Sequence, residues 1–204
     1  MVDQKKRHDP PREPTEDRLT HMRWIVIPHI LMSIRQAAQA LELERQHGIL
    51  AFVTVKVDAT DTPAQRTLLG AYTQPIIAMG VLRCRYLLEF LGIKTTGAPP
   101  TLRAIDRRRN GDVGVEHFTS ATGTRLSRVT PDGAASLFRA HVSTPRAWAT
   151  VIEIANQRLA HPTDDYKLSG TSSLGTQLQT TFSTIPELVY VKFYDALGVE
   201  RPKY

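Results

Sequence analysis

The sequence predicts a mainly α protein: a helical bundle of about five to seven helices, with room for a small β-hairpin insertion. Three observations point there. Apolar residues recur at three- and four-residue steps over long stretches. Thr62-Pro63, Thr130-Pro131-Asp132 and Thr144-Pro145 have the form of capped helix starts, with Thr at the N-cap and Pro in the first turn. Gly48, Gly92 and Gly198 stand where helical patterns stop.

Taken in order, residues 1–19 carry five basic and five acidic side chains, three prolines and almost nothing apolar. Such a segment buries too little surface to offset ordering, so it is expected to be a mobile arm. One helical domain is expected over 20–198, with a short tail at 199–204. Residues 23–48 form an amphipathic pattern through Ile30, Ile34, Ala37, Ala38 and Leu41, in which Pro28 marks a kink or the true start. Residues 49–58 are rich in β-branched side chains and fit either a short strand or the start of a helix.

From Thr62 a helical pattern runs to Gly92, and Pro75 is expected to break or kink it. Its second part, 76–91, is the most apolar stretch and the expected central core helix. Residues 94–128 then change character. Pro99-Pro100 opens a basic linker, expected to be a loop or small hairpin, and Arg109-Asn110-Gly111-Asp112 is a turn signal. A helix is expected from Thr130 to about Val142 and another from Pro145 to His161. The Ser/Thr/Gly/Gln-rich residues 167–183 suggest a loop before a last helix over 184–197.

Composition excludes several classes. Of 204 residues, 41% are hydrophobic and 23% charged, which fits a globular chain that buries about 70% of its unfolded surface. The one cysteine, Cys84, allows neither an internal disulfide nor a Cys-based zinc site, and suits a reducing cytoplasm. No apolar run has the length of a spanning helix, and no secretory leader is visible, so no membrane partner is expected. No Walker A loop, GxGxxG, HExxH or GxSxG motif is present. No cofactor or metal is expected. The formal charge is +6, with 19 of 26 cations being Arg. A guanidinium fork suits phosphate, so an RNA partner is compatible with this balance.

Three groups of residues have the chemistry for a site. Arg83 and Arg85 interrupt the central helix, where a charge must reach a partner or a cleft. Arg85 and Glu89 are four apart and can pair. The second group is the end of the helix before Pro162. Arg158 and His161 share a face there, whereas Asn156 and His161 lie about 140° apart. A histidine at a helix C-terminus is favoured as a cation by the dipole, which suits an acid/base role. The third is the basic loop with Arg103, Arg107, Arg108 and Arg109, a candidate phosphate-contacting patch. It contains no aromatic residue, so stacking on bases is not expected of it.

Three segments together resemble the HEPN superfamily of helical-bundle proteins common in bacterial toxin–antitoxin and phage-defence systems. They are RYLLEFL at 85–91, NGDVGVEHF at 110–118 and NQRLAHPT at 156–163. The resemblance implies a bundle, often a homodimer or bound to a cognate partner protein, and in catalytic members a metal-independent RNase. Carried onto this chain, His161 would be the acid/base and Arg85 would stabilise charge on the phosphorane, with Arg158 and Asn156 beside them. Arg158 stands closer to His161 than the Arg of catalytic members does. The expectation is therefore a non-catalytic binding or association module, with RNase activity as the alternative.

Overall fold

The computed structural model describes residues 13–56, 64–139, 143–157 and 174–203. The fold is mainly α with two small β-hairpins.

Helix α1 (Glu16–His21) begins at Thr15, whose hydroxyl accepts from the Arg18 N–H, and Glu16 and Asp17 face the positive end of the dipole. The chain stays helical through a π-turn at Met22–Val26 into α2 (Ile27–His47). Pro28 therefore sits in the first turn of α2, just after the wider turn. Residues 16–19, assigned above to the arm, are helical because Leu19 is buried in the core. Gly48 ends α2 at a φ of 78°.

Strand β1 (Phe52–Val55) pairs antiparallel with β2 (Gln65–Leu68). Within the β-branched run at 49–58, residues 52–55 are thus strand rather than helix. The helix expected from Thr62 begins instead as α3 (Leu69–Leu91), because residues 65–68 are held by pairing with β1. Pro75 does not divide α3, which runs through it unbroken. Its flanks anchor it, since Thr73 and Ile77 are both buried.

α2 and α3 run antiparallel and close together. Thr73 hydrogen-bonds Glu44 at one end, Gly80 faces Ala37 in the middle, and the Tyr86 hydroxyl donates to Met22 Sδ at 3.8 Å at the other. A Cβ at position 80 would collide with the Ala37 methyl, so only glycine allows this approach.

β3 (Ile93–Thr96) and β4 (Thr101–Ala104) form the second hairpin, its turn at 97–100. The chain then returns along the C-terminal end of α3 and makes a short 3-10 turn at Val115–His117. α4 (Pro131–Ala135) is capped by Thr130 as expected, but it passes into a 3-10 turn at Ser136–Phe138 rather than running to Val142.

α5 is Thr144–Gln157 and α6 is Leu174–Val189, followed by a π-segment at Tyr190–Asp195. Residues 174–183 are helix, not loop. Their polar composition misleads: Thr180, Thr181 and Thr184 return their hydroxyls to the carbonyls four residues back, while Leu178, Phe182 and Ile185 form the buried stripe. Pro186-Glu187 has the form of a helix start, yet Pro186 lies inside α6.

The core joins these elements. Trp148 of α5 is fully buried and donates to the Thr184 hydroxyl of α6 at 2.9 Å. Phe90, Phe118 and Phe193 stack edge-to-face with centroids 4.8–5.9 Å apart. The Tyr194 hydroxyl ties the π-segment to the Arg23 carbonyl at 3.0 Å. No helix among the described residues is long and apolar enough to cross a membrane.

Candidate functional site

A buried arginine organises the site. Arg108 turns inward from the returning loop, and its side chain is only 8% exposed. Its two Nη atoms donate to the Glu89 and Phe90 carbonyls, both at 2.8 Å. Both carbonyls belong to the last turn of α3, where the Glu89 carbonyl also accepts the Gly92 N–H at 3.0 Å. The positive guanidinium also sits at the negative end of the helix dipole.

The other edge of Arg108 meets Glu116 in a two-point pair at 2.8 and 3.0 Å. Arg128 donates a third bond to Glu116 at 2.6 Å and binds the Ile105 and Asp106 carbonyls. Burial alone would raise the Glu116 pKa. The hydrogen bonds from Arg108 and Arg128 outweigh it and hold the carboxyl at about 2. Gly114 leaves the space this arrangement needs, since a Cβ there would overlap the Arg108 guanidinium. His117 adds a local brace, its Nδ1 accepting the Gly114 N–H at 2.9 Å.

Arg107 and Arg109 flank Arg108 in sequence, and all three line one cleft. Both are exposed, and neither guanidinium has a hydrogen bond or ion pair with a described residue.

Arg107 and Arg109 line a cleft of about 540 Å³ between this loop, the C-terminal half of α3 and the start of the long N-terminal helix. Arg85, Lys94 and Arg18 line it too. Those three are partly occupied: Arg85 by Glu89 at 3.0 Å, Lys94 by Asp106 at 3.4 Å, and Arg18 by the Gly111 carbonyl at 2.7 Å. The carboxylates on the cleft wall are Glu89 and Asp112, the latter accepting the Arg109 backbone N–H. Cations outnumber anions, so the cleft is an attractive site for a negative ligand.

Tyr86 projects into the same cleft, 38% exposed. Burial of its hydroxyl raises the pKa above the usual tyrosine value, although Arg18, Arg83 and Arg108 pull it the other way.

The residues singled out from sequence divide. Arg85, Arg107, Arg108 and Arg109 are brought together, but Arg108 is a structural clamp, already bonded on both edges. Arg103 is exposed on β4 opposite Lys94 and does not line the cleft. Arg83 is half-buried on α3 with a buried Nε that has no partner among the described residues, and it also lies off the cleft wall. Asn156 is half-buried on α5, away from the cleft. Arg158 and His161 lie outside the described residues.

Sequence reasoning missed Glu116, Arg128, Arg18 and Tyr86. The loop itself has no aromatic side chain; Tyr86, from α3, supplies one to the cleft. One signal was available: Tyr86 follows Arg85 and precedes Glu89 by three, so it belongs to the polar interruption of an otherwise strongly apolar stretch. Among the described residues no three His, Cys, Asp or Glu side chains gather as metal ligands.

Compared with known proteins, the chain matches no family model, no curated protein and no solved structure.

Proposed function

We propose that this chain is a non-catalytic, HEPN-like helical module of a bacterial defence or regulatory system that binds RNA through the basic cleft. The observation that carries the RNA reading is the pair Arg107 and Arg109. Both line one cleft, on a loop fixed by the Arg108–Glu116–Arg128 cluster. A positioned pair of arginines without partners among the described residues suits phosphate oxygens. The defence or regulatory context rests on the three resembling segments. Two of them, at 85–91 and 110–118, flank this cleft.

The test is fluorescence anisotropy of a labelled single-stranded RNA with the full chain in EDTA, with the RNA then run on a denaturing gel. The expected result is binding that weakens with salt, an intact RNA, and a loss of affinity in Arg107→Ala/Arg109→Ala. Absence of binding would refute the reading. Cleavage lost in His161→Ala would replace it with the metal-independent RNase.

Self-association is a second reading with its own observation. Ile49, Leu50, Phe52, Leu68 and Tyr72 are exposed together around the β1–β2 hairpin, with Leu50 at 75% and Phe52 at 63%. Grouped apolar side chains of this kind mark protein contacts more often than solvent faces.

A further inference from the structure

We propose that the cleft holds one unpaired nucleotide of the RNA, with Arg107 and Arg109 on its phosphate and the Tyr86 ring against its base. The inference rests on the RNA-binding reading and narrows it to single-stranded RNA with a stacked base.

Size is the first argument. A concavity of about 540 Å³ falls in the range that encloses a small organic ligand. A duplex presents its phosphates on a convex surface and keeps its bases stacked inside, so a concave cleft reaches no base face. An unpaired nucleotide can turn its base into such a cleft.

Chemistry is the second argument. The cleft is not uniformly basic. The returning loop contributes the exposed Arg107 and Arg109. α3 contributes Tyr86, 38% exposed, beside the Arg85–Glu89 pair. Unpaired cations together with an exposed aromatic residue are the combination that single-strand binders use, with the backbone on cations and the base on a ring. Tyr86 is held at its tip by the bond from its hydroxyl to Met22 Sδ and at its base by α3, so its ring is positioned before any ligand arrives.

Rigidity is the third. Arg108 fastens the loop to the end of α3 through two carbonyls and to Glu116 through two further bonds. The distance between the phosphate-binding loop and the base-binding helix is therefore set by the fold. Little ordering entropy remains to be lost on binding.

The experiment compares a single-stranded oligoadenylate with an abasic ribose-phosphate chain of the same length and charge. Electrostatic attraction is equal for the two, so any difference reports the base. Wild type is expected to bind the oligoadenylate about 10-fold more tightly, the effect of one stacked base. Tyr86→Leu should remove that difference, and Tyr86→Phe should keep it. Arg107→Ala/Arg109→Ala should weaken both chains alike and leave their ratio near 10. Equal affinities in wild type, or a preference that survives Tyr86→Leu, would overturn the proposal while leaving RNA binding standing. Failure of wild type to bind either chain would refute both readings together.

Discussion

Replacing Glu116 by Gln tests the cluster that fixes the basic loop. The substitution keeps shape but removes the charge between two guanidiniums and turns an amide donor toward other donors. Breaking one side of a largely buried ion pair costs about 3–5 kcal/mol. The pKa supplies a second route to the magnitude. The carboxyl falls from its usual 4.5 to about 2 on folding. Its side chain is only 18% exposed, so solvent screens it little. At 1.36 kcal/mol per unit, the shift corresponds to about 3 kcal/mol of stability. Because the folded pKa is depressed, that contribution is full above the unfolded value near 4.5. It is lost as pH falls from there toward 2. Urea unfolding of both proteins at a series of pH values measures it. The expected result is a variant about 3 kcal/mol or more less stable at pH 7, with the gap closing by about that amount as pH falls toward 2. A variant within about 1 kcal/mol of wild type at pH 7, or a gap unchanged across the acid range, would refute the assignment of Glu116 as a structural counter-charge.

Other positions give equally direct outcomes. Gly80→Ala would force α2 and α3 apart at Ala37 and should cost about 1–3 kcal/mol in urea unfolding, despite the gain in helix propensity. Cys84 is fully buried and burial raises its thiol pKa well above the usual value, so a thiol reagent should label it only after urea unfolds the chain. Labelling of the native protein at the rate of a small thiol would contradict the packing of α3. If the hairpin mediates self-association, Leu50→Asp/Phe52→Asp should lower the mass measured by light scattering and leave the circular dichroism unchanged. An unchanged mass would count against that surface.

Much of the helical content was legible because it follows from local rules. The stripe Ile30, Ile34, Ala37 and the stop at Gly48 are written in neighbouring residues, as is the Thr130 cap. The misassignments share a cause: tertiary context outweighed local signals. Pro75 and Pro186 lie within helices whose buried faces hold them. Residues 65–68 became strand because β1 was there to pair with. Leu178 and Phe182 made a helix of a segment whose Ser, Thr, Gly and Gln content suggested a loop.

The site was half legible for the same reason. Arg107 and Arg109 stand out as a charge run, and the Arg85–Glu89 pair follows from helical spacing. The sequence does not distinguish Arg108 from its two neighbours. Its inward turn depends on the Glu89 and Phe90 carbonyls at the end of α3 and on Glu116, eight residues away with no local motif between them. Tyr86 joins the cleft only because the loop doubles back along α3.

The central claim is that Arg107 and Arg109 meet the phosphates of an RNA strand. The salt dependence of single-stranded RNA affinity tests it most directly, in wild type and in Arg107→Ala/Arg109→Ala. Each phosphate contact on a single strand contributes about 0.7 to the slope of log affinity against log salt, so the variant's slope should be shallower by about 1.4. An identical slope, with RNA still bound, would place the contacts elsewhere and contradict the account.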